Sequence, residues 1–125
     1  MSSGATGFVD ESGSTRAAGL SAPLKELRGG APEVMKGFAA GARAALDAKA
    51  LDTKTKELIA LGIAVATRCA PCIAYHAEAA VKLGASRDEV METMGMAIYM
   101  GAGPAVMYAA QAVEAFDQFK ARAGA

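Results

Sequence analysis

Cys69-Ala70-Pro71-Cys72 sets two thiols three residues apart, and His76 follows four residues after the second; these are the only cysteines and the only histidine in the chain. On a helix, positions i, i+3 and i+7 lie on adjoining parts of one face, with Cys72 and His76 about one turn apart. Pro71 suits the first turn of such a helix, so both thiols stand at its N-terminus, where the dipole and the free N–H groups favour a thiolate. A nearby imidazole can accept the thiol proton, which lowers the ionisation point of a cysteine further. Two thiols at this spacing suit redox chemistry: a sulfenic acid or mixed disulfide formed on one sulfur is resolved by the other with little backbone movement. Spacing alone does not rank the two sulfurs.

Glu57 is the fourth member of this set. It lies one turn into a second helix whose later residues, Leu58 to Ala66, are all apolar or small. Its carboxylate faces either the exposed helix start or a partly enclosed cavity, where an ionised carboxylate needs a partner. His76 or a cysteine thiol would serve. Other readings of the cysteines stay open at this point: half of a zinc site, or two small buried apolar residues. Zinc normally takes four ligands, and beyond two Cys and one His the fourth would have to be a carboxylate or a group from another subunit. A thioredoxin fold is disfavoured, because its Cys-x-x-Cys follows a strand and no period-two stretch occurs here.

The elements that must position these residues read as helices throughout. A short helix is expected at Pro23 to Arg28. The next opens at Ala31-Pro32-Glu33 and runs to about Leu46, with Val34, Phe38, Gly41, Ala42 and Ala45 on one apolar stripe. Asp52 or Thr53 caps the Glu57 helix, which extends through about Thr67 and, being apolar all round, should be buried on most sides. The Cys-x-x-Cys helix reaches Leu83 and is stopped by Gly84. Ser86-Arg87-Asp88-Glu89 is a capping box for a helix to about Met100. Gly101-Ala102-Gly103-Pro104 then turns the chain into a last helix to about Arg122, with Val106, Ala109, Val113, Phe116 and Lys120 on one stripe. The class is all-α, with five to six helices and short loops.

Composition agrees. Of 125 residues 31 are Ala and 14 are Gly, which favours closely packed helices, and Gly62, Gly95 and Gly101 mark points of close approach. With 13 Lys+Arg against 13 Asp+Glu there is no electrostatic lure for nucleic acid or an anionic membrane. The longest apolar stretch, about ten residues from Leu58 to Thr67, is half of the roughly 20 needed to span a bilayer. No secretory signal is recognised near Met1, so the expected compartment is the cytoplasm, where the thiols start out reduced. Residues 1–21 read as a tail or subunit-contact arm held down by Phe8 and Val9, and residues 22–125 as the helical domain. Met91, Met94, Met96, Met100 and Met107 are read first as packing between Ala-rich helices, with a substrate-facing pocket as the alternative.

Glu57, Cys69, Cys72 and His76 together form the pattern Glu-x11-Cys-x-x-Cys-x3-His. This resembles the active-site signature of the AhpD-like (alkylhydroperoxidase D) branch of the carboxymuconolactone decarboxylase superfamily, over about residues 32 to 119. The resemblance implies an AhpD-like helical bundle, usually a homo-oligomer such as a trimer or hexamer. It further implies that Glu57 orients His76, that His76 acts as base toward Cys72, that Cys72 is the attacking thiolate, and that Cys69 resolves it. The implied activity is a thiol–disulfide oxidoreductase with peroxidase action, on a hydroperoxide substrate and recycled by an external dithiol such as a lipoyl or thioredoxin-like protein. No cofactor and no metal are called for. Some peroxidase members carry a second His immediately before the second Cys, where this chain has Ala70-Pro71; the decarboxylase branch typically lacks the cysteine pair altogether. The alternative from another class is a non-catalytic helical oligomerisation or binding module with structural or metal-binding cysteines.

Overall fold

The computed structural model describes residues 19–124 as five helices, with no strand among them. They are α1 (Ser21–Gly30), α2 (Pro32–Leu46), α3 (Thr53–Ala66), α4 (Ala70–Lys82) and α5 (Arg87–Gly124). The expected Phe8 and Val9 anchors lie outside the described residues.

Local chemistry explains most boundaries. Pro32 opens α2, with Glu33 in its first turn. The Asp52 side chain caps α3 by accepting the Thr55 N–H at 2.7 Å. The capping box of α5 closes in both directions: Glu89 N–H donates to Ser86 Oγ at 3.0 Å, and Ser86 N–H donates to Glu89 Oε1 at 2.8 Å. Helix α4 ends as expected at Gly84, whose φ of 81° lets Ala85 N–H reach Ala80 O while Gly84 N–H reaches Val81 O.

The last two expected helices are the two halves of α5, which break at Ala102 (φ 60°, ψ −149°), within the expected Gly101 to Pro104 turn. Pro104 cannot be followed back by an unbroken helix because its ring would strike the carbonyl four residues earlier. Gly101 is required by contact: a Cβ there would stand 2.7 Å from Ala105 Cβ and 3.5 Å from Ala66 Cα, so the kink presses on the end of α3.

Helices α3, α4 and α5 enclose the core, in which Leu61, Val65, Val90 and Phe116 are the largest fully buried side chains. Small residues fill the seams: Ala74, Ala77 and Ala80 of α4 and Ala105, Ala109, Ala112 and Ala115 of α5 are all buried. In the second half of α5, Ala109 and Phe116 of the expected stripe are buried, but Ala105 lies inward and Val106 is exposed. Helix α3 also departs from expectation. It buries one stripe, Glu57, Leu61, Ala64 and Val65, and leaves Ile59 and Ile63 about half exposed. Helices α1 and α2 bury nothing; Val34 and Phe38 point outward.

Candidate active site

The site is built where α3 ends and α4 begins. At that junction Arg68 adopts a left-handed conformation (φ 60°), so that its own N–H bonds Val65 O and Cys69 N–H bonds Ala64 O. This is the same closing pattern as at Gly84, with an arginine in the slot that usually holds glycine. The chain is thereby folded back so that Cys69 finishes one helix and starts the next. As N-cap of α4, Cys69 accepts the Cys72 N–H on its sulfur at 3.3 Å and the Ile73 N–H on its carbonyl at 2.9 Å.

Cys69 and Cys72 are joined as a disulfide, with their Cα atoms 5.2 Å apart. Both are partly buried, and Cys72 packs against the core. One turn further along α4 stands His76, its side chain one-third exposed. Its Nδ1 lies 2.6 Å from Oε1 of Glu57, which comes from the buried stripe of α3. Glu57 is the one buried charged side chain among the described residues. An ionised Glu57 only accepts, so its bond selects the tautomer of a neutral ring with the proton on Nδ1 and the lone pair on Nε2.

All four residues singled out by spacing are thus brought to one helix junction: Glu57 touches His76, His76 is a turn from Cys72, and Cys72 is bonded to Cys69. Of the two settings open to Glu57, the structure selects the enclosed one. No pattern in the sequence announced the left-handed Arg68, and the capping role of the Cys69 sulfur was legible only as a Cys standing directly before Ala70-Pro71. Among the described residues no three His, Cys, Asp or Glu side chains are grouped to hold a metal ion. Nor is any helix among them long and apolar enough to cross a membrane.

The rest of the surface sorts the remaining expectations. Glu78 and Lys82 form an i, i+4 ion pair at 3.8 Å on α4. Met94 is core packing, whereas Met91, Met96, Met100 and Met107 are exposed, as is Tyr99. Gly62 is a point of close approach, its absent Cβ falling 3.3 Å from Thr93 Cγ2, but Gly95 is open on all sides.

The chain belongs to the carboxymuconolactone decarboxylase family, whose pattern matches residues 32–115. It is similar to an apo crystal structure of a carboxymuconolactone decarboxylase family protein from Legionella pneumophila, with 49% identity and a TM-score of 0.84, covering 86% of this chain and 96% of that one. Uncharacterised relatives include one from Haemophilus influenzae, 46% identical, and one from Cupriavidus necator, 36% identical. Each aligns over 72% of this chain and 80% of its own length.

Proposed function

We propose that the protein is a thiol–disulfide oxidoreductase that reduces hydroperoxides through Cys72 and Cys69. The observation that carries this reading is the 2.6 Å bond between His76 Nδ1 and the buried Glu57, one turn from Cys72. The bond fixes the ring and its proton, so Nε2 is the basic edge available to a thiol.

In the reduced protein His76 takes the Cys72 proton, directly or through a water. The thiolate attacks the outer oxygen of ROOH; the O–O bond breaks, the alkoxide takes up a proton and leaves as ROH, and Cys72 becomes a sulfenic acid. Cys69 then attacks the Cys72 sulfur. The S–O bond breaks, water departs with the second proton, and the disulfide forms. An external dithiol reduces it by two exchange steps and is itself oxidised to a disulfide. The absence of a second histidine before Cys72 makes dithiol exchange the more general capacity of the site.

The test is a hydroperoxide titration of the reduced protein followed by mass spectrometry. The expected result is a loss of two hydrogens confined to the peptide bearing Cys69 and Cys72, with one ROH formed per disulfide. Cys72→Ser should abolish peroxide-dependent thiol loss. A Cys72→Ser protein that consumes hydroperoxide at the parental rate overturns the assignment and leaves the cysteines a structural role.

A further inference from the structure

We propose that Arg68 is the specificity-determining residue of the disulfide: its guanidinium selects, among the thiols able to reduce Cys69–Cys72, those that carry a carboxylate near the sulfur. This inference rests on the exchange half of the function proposed above and does not need the hydroperoxide half.

The observation that carries it is a residue type out of place. Arg68 and Gly84 close their helices with the same pair of backbone bonds: Arg68 N–H to Val65 O with Cys69 N–H to Ala64 O, and Gly84 N–H to Val81 O with Ala85 N–H to Ala80 O. Both stand at positive φ, 60° and 81°. The turn itself therefore asks for glycine, and a side chain held there costs stability. Backbone outliers of this kind cluster at functional sites. Of the two non-glycine residues at positive φ among those described, Arg68 and Ala102, only Arg68 directly precedes a redox sulfur.

Its chemistry fits the place. From Leu58 to Tyr75, the stretch that holds both cysteines and separates Glu57 from His76, Arg68 is the one charged side chain. Glu57 is buried and committed to His76 at 2.6 Å, and Glu78 and Lys82, further along α4, pair with each other at 3.8 Å. Arg68 is exposed and belongs to no ion pair among the described residues. Neighbouring Cα atoms are about 3.8 Å apart, which tethers its charge to within about a Debye length of the Cys69 sulfur, about 10 Å at 0.1 M salt. The N-terminus of α4, which Cys69 caps, adds its own positive end. A guanidinium presents a planar fork that meets a carboxylate with two parallel N–H donors. The charge also suits the C-terminal end of α3, whose last turn holds no basic residue, but that role acts on stability and draws no distinction between one thiol and another.

In the exchange a thiolate RS⁻ attacks one sulfur of the pair; the S–S bond breaks, a mixed disulfide forms, and the other cysteine leaves as a thiolate. A second RS⁻ attacks the outer sulfur of the mixed disulfide and departs as RSSR, so two thiols are oxidised and both cysteines are reduced. Every attacking sulfur is negative, so thiols differ in the charge on the rest of the molecule. Two unit charges about 7 Å apart in water interact by an amount equivalent to about threefold in rate.

The experiment is reduction of the oxidised full chain by mercaptopropionate, mercaptoethanol and cysteamine, three small thiols whose second groups are anionic, neutral and cationic. Each thiol's rate on the parent is divided by its rate on Arg68→Gln, which cancels differences in nucleophilicity. At about 0.01 M salt, where the Debye length is about 30 Å, the ratio is expected to fall from mercaptopropionate to mercaptoethanol to cysteamine, by about threefold at each step. Arg68→Lys should keep that order, and at about 1 M salt the three ratios should converge. Equal ratios for the three thiols at low salt overturn the inference, leave the redox reading intact, and assign the arginine to the end of α3. A disulfide that none of the three reduces overturns the redox reading and this inference with it. Should Arg68→Gln lose its helical circular dichroism, the parent alone carries the test: added salt should slow mercaptopropionate most and cysteamine least, and equal salt responses overturn the inference.

Discussion

Cys69 is the residue on which the site's chemistry and its backbone converge. Its sulfur accepts the Cys72 N–H and stands at the positive end of α4, so a thiolate released there is held by that N–H and by the helix dipole. In thiol–disulfide exchange the sulfur whose thiolate is better stabilised is the better leaving group. We therefore predict that an external thiolate attacks Cys72 and expels Cys69. Partial reduction quenched with an alkylating agent should give mixed disulfide on Cys72 and alkyl groups on Cys69; mixed disulfide mainly on Cys69 would count against it. Glu57 gives a second prediction. Glu57→Gln keeps an acceptor for Nδ1–H but removes the charge behind the ring, and loss of such a supporting partner lowers activity about 10- to 100-fold. Disulfide formation under a fixed hydroperoxide concentration measures it, and a rate within twofold of the parent would contradict the role. This much of the site was legible, because Cys69, Cys72 and His76 share one helix, and Glu57 lies on the helix just before it. What spacing did not reveal was the turn that aligns those helices.

That turn belongs to the scale of elements. Two helix ends, at Arg68 and at Gly84, close with the same pair of backbone bonds, but only Gly84 advertised itself. The left-handed region costs a non-glycine residue roughly 1–2 kcal/mol, and Arg68 accepts that cost. Arg68→Gly should relieve it, less what glycine loses in chain entropy, and stabilise the fold by up to about 1 kcal/mol. Urea midpoints at unchanged slope would show it; a lower midpoint would mean that the arginine side chain does more than occupy the turn. The start of α5 was readable from Ser86 and Glu89, and it predicts a pH dependence. The Ser86 N–H and then Lys54 hold Glu89 below the usual carboxylate range, and Thr55, by hydroxyl and backbone N–H, does the same for Asp52 at the start of α3. Because both folded-state values are depressed, their stabilisation is complete above the ordinary carboxylate pKa. It is lost as pH falls through the lower folded values, below about pH 4. Glu89→Gln should therefore flatten the acid limb of the melting temperature between about pH 5 and 2. An unchanged limb would place the acid sensitivity elsewhere. The break in α5 was readable because Gly-Ala-Gly-Pro carries every local breaker signal; the close contact of Gly101 with Ala66 was not.

At the scale of the whole molecule, the periodicity of each helix was visible in the sequence but not which apolar stripes would find partners. Val34 and Phe38 recur at helical spacing just as Leu61 and Val65 do, yet the first pair is exposed and the second fully buried. A single sequence records that a stripe is apolar and is silent on whether its cover comes from the same chain. The consequence is an uneven distribution of stability. Helices α3, α4 and α5 share one core, so their central amides open only when that core does. Helices α1 and α2 bury no residue and are held, in one isolated chain, by little beyond their own hydrogen bonds. Hydrogen exchange should then separate two groups of amides. At about 1 µM protein those of Pro32–Leu46 should exchange far faster than those of α3 to α5. Protection in α2 equal to that of the core would mean that the helix is covered within its own chain.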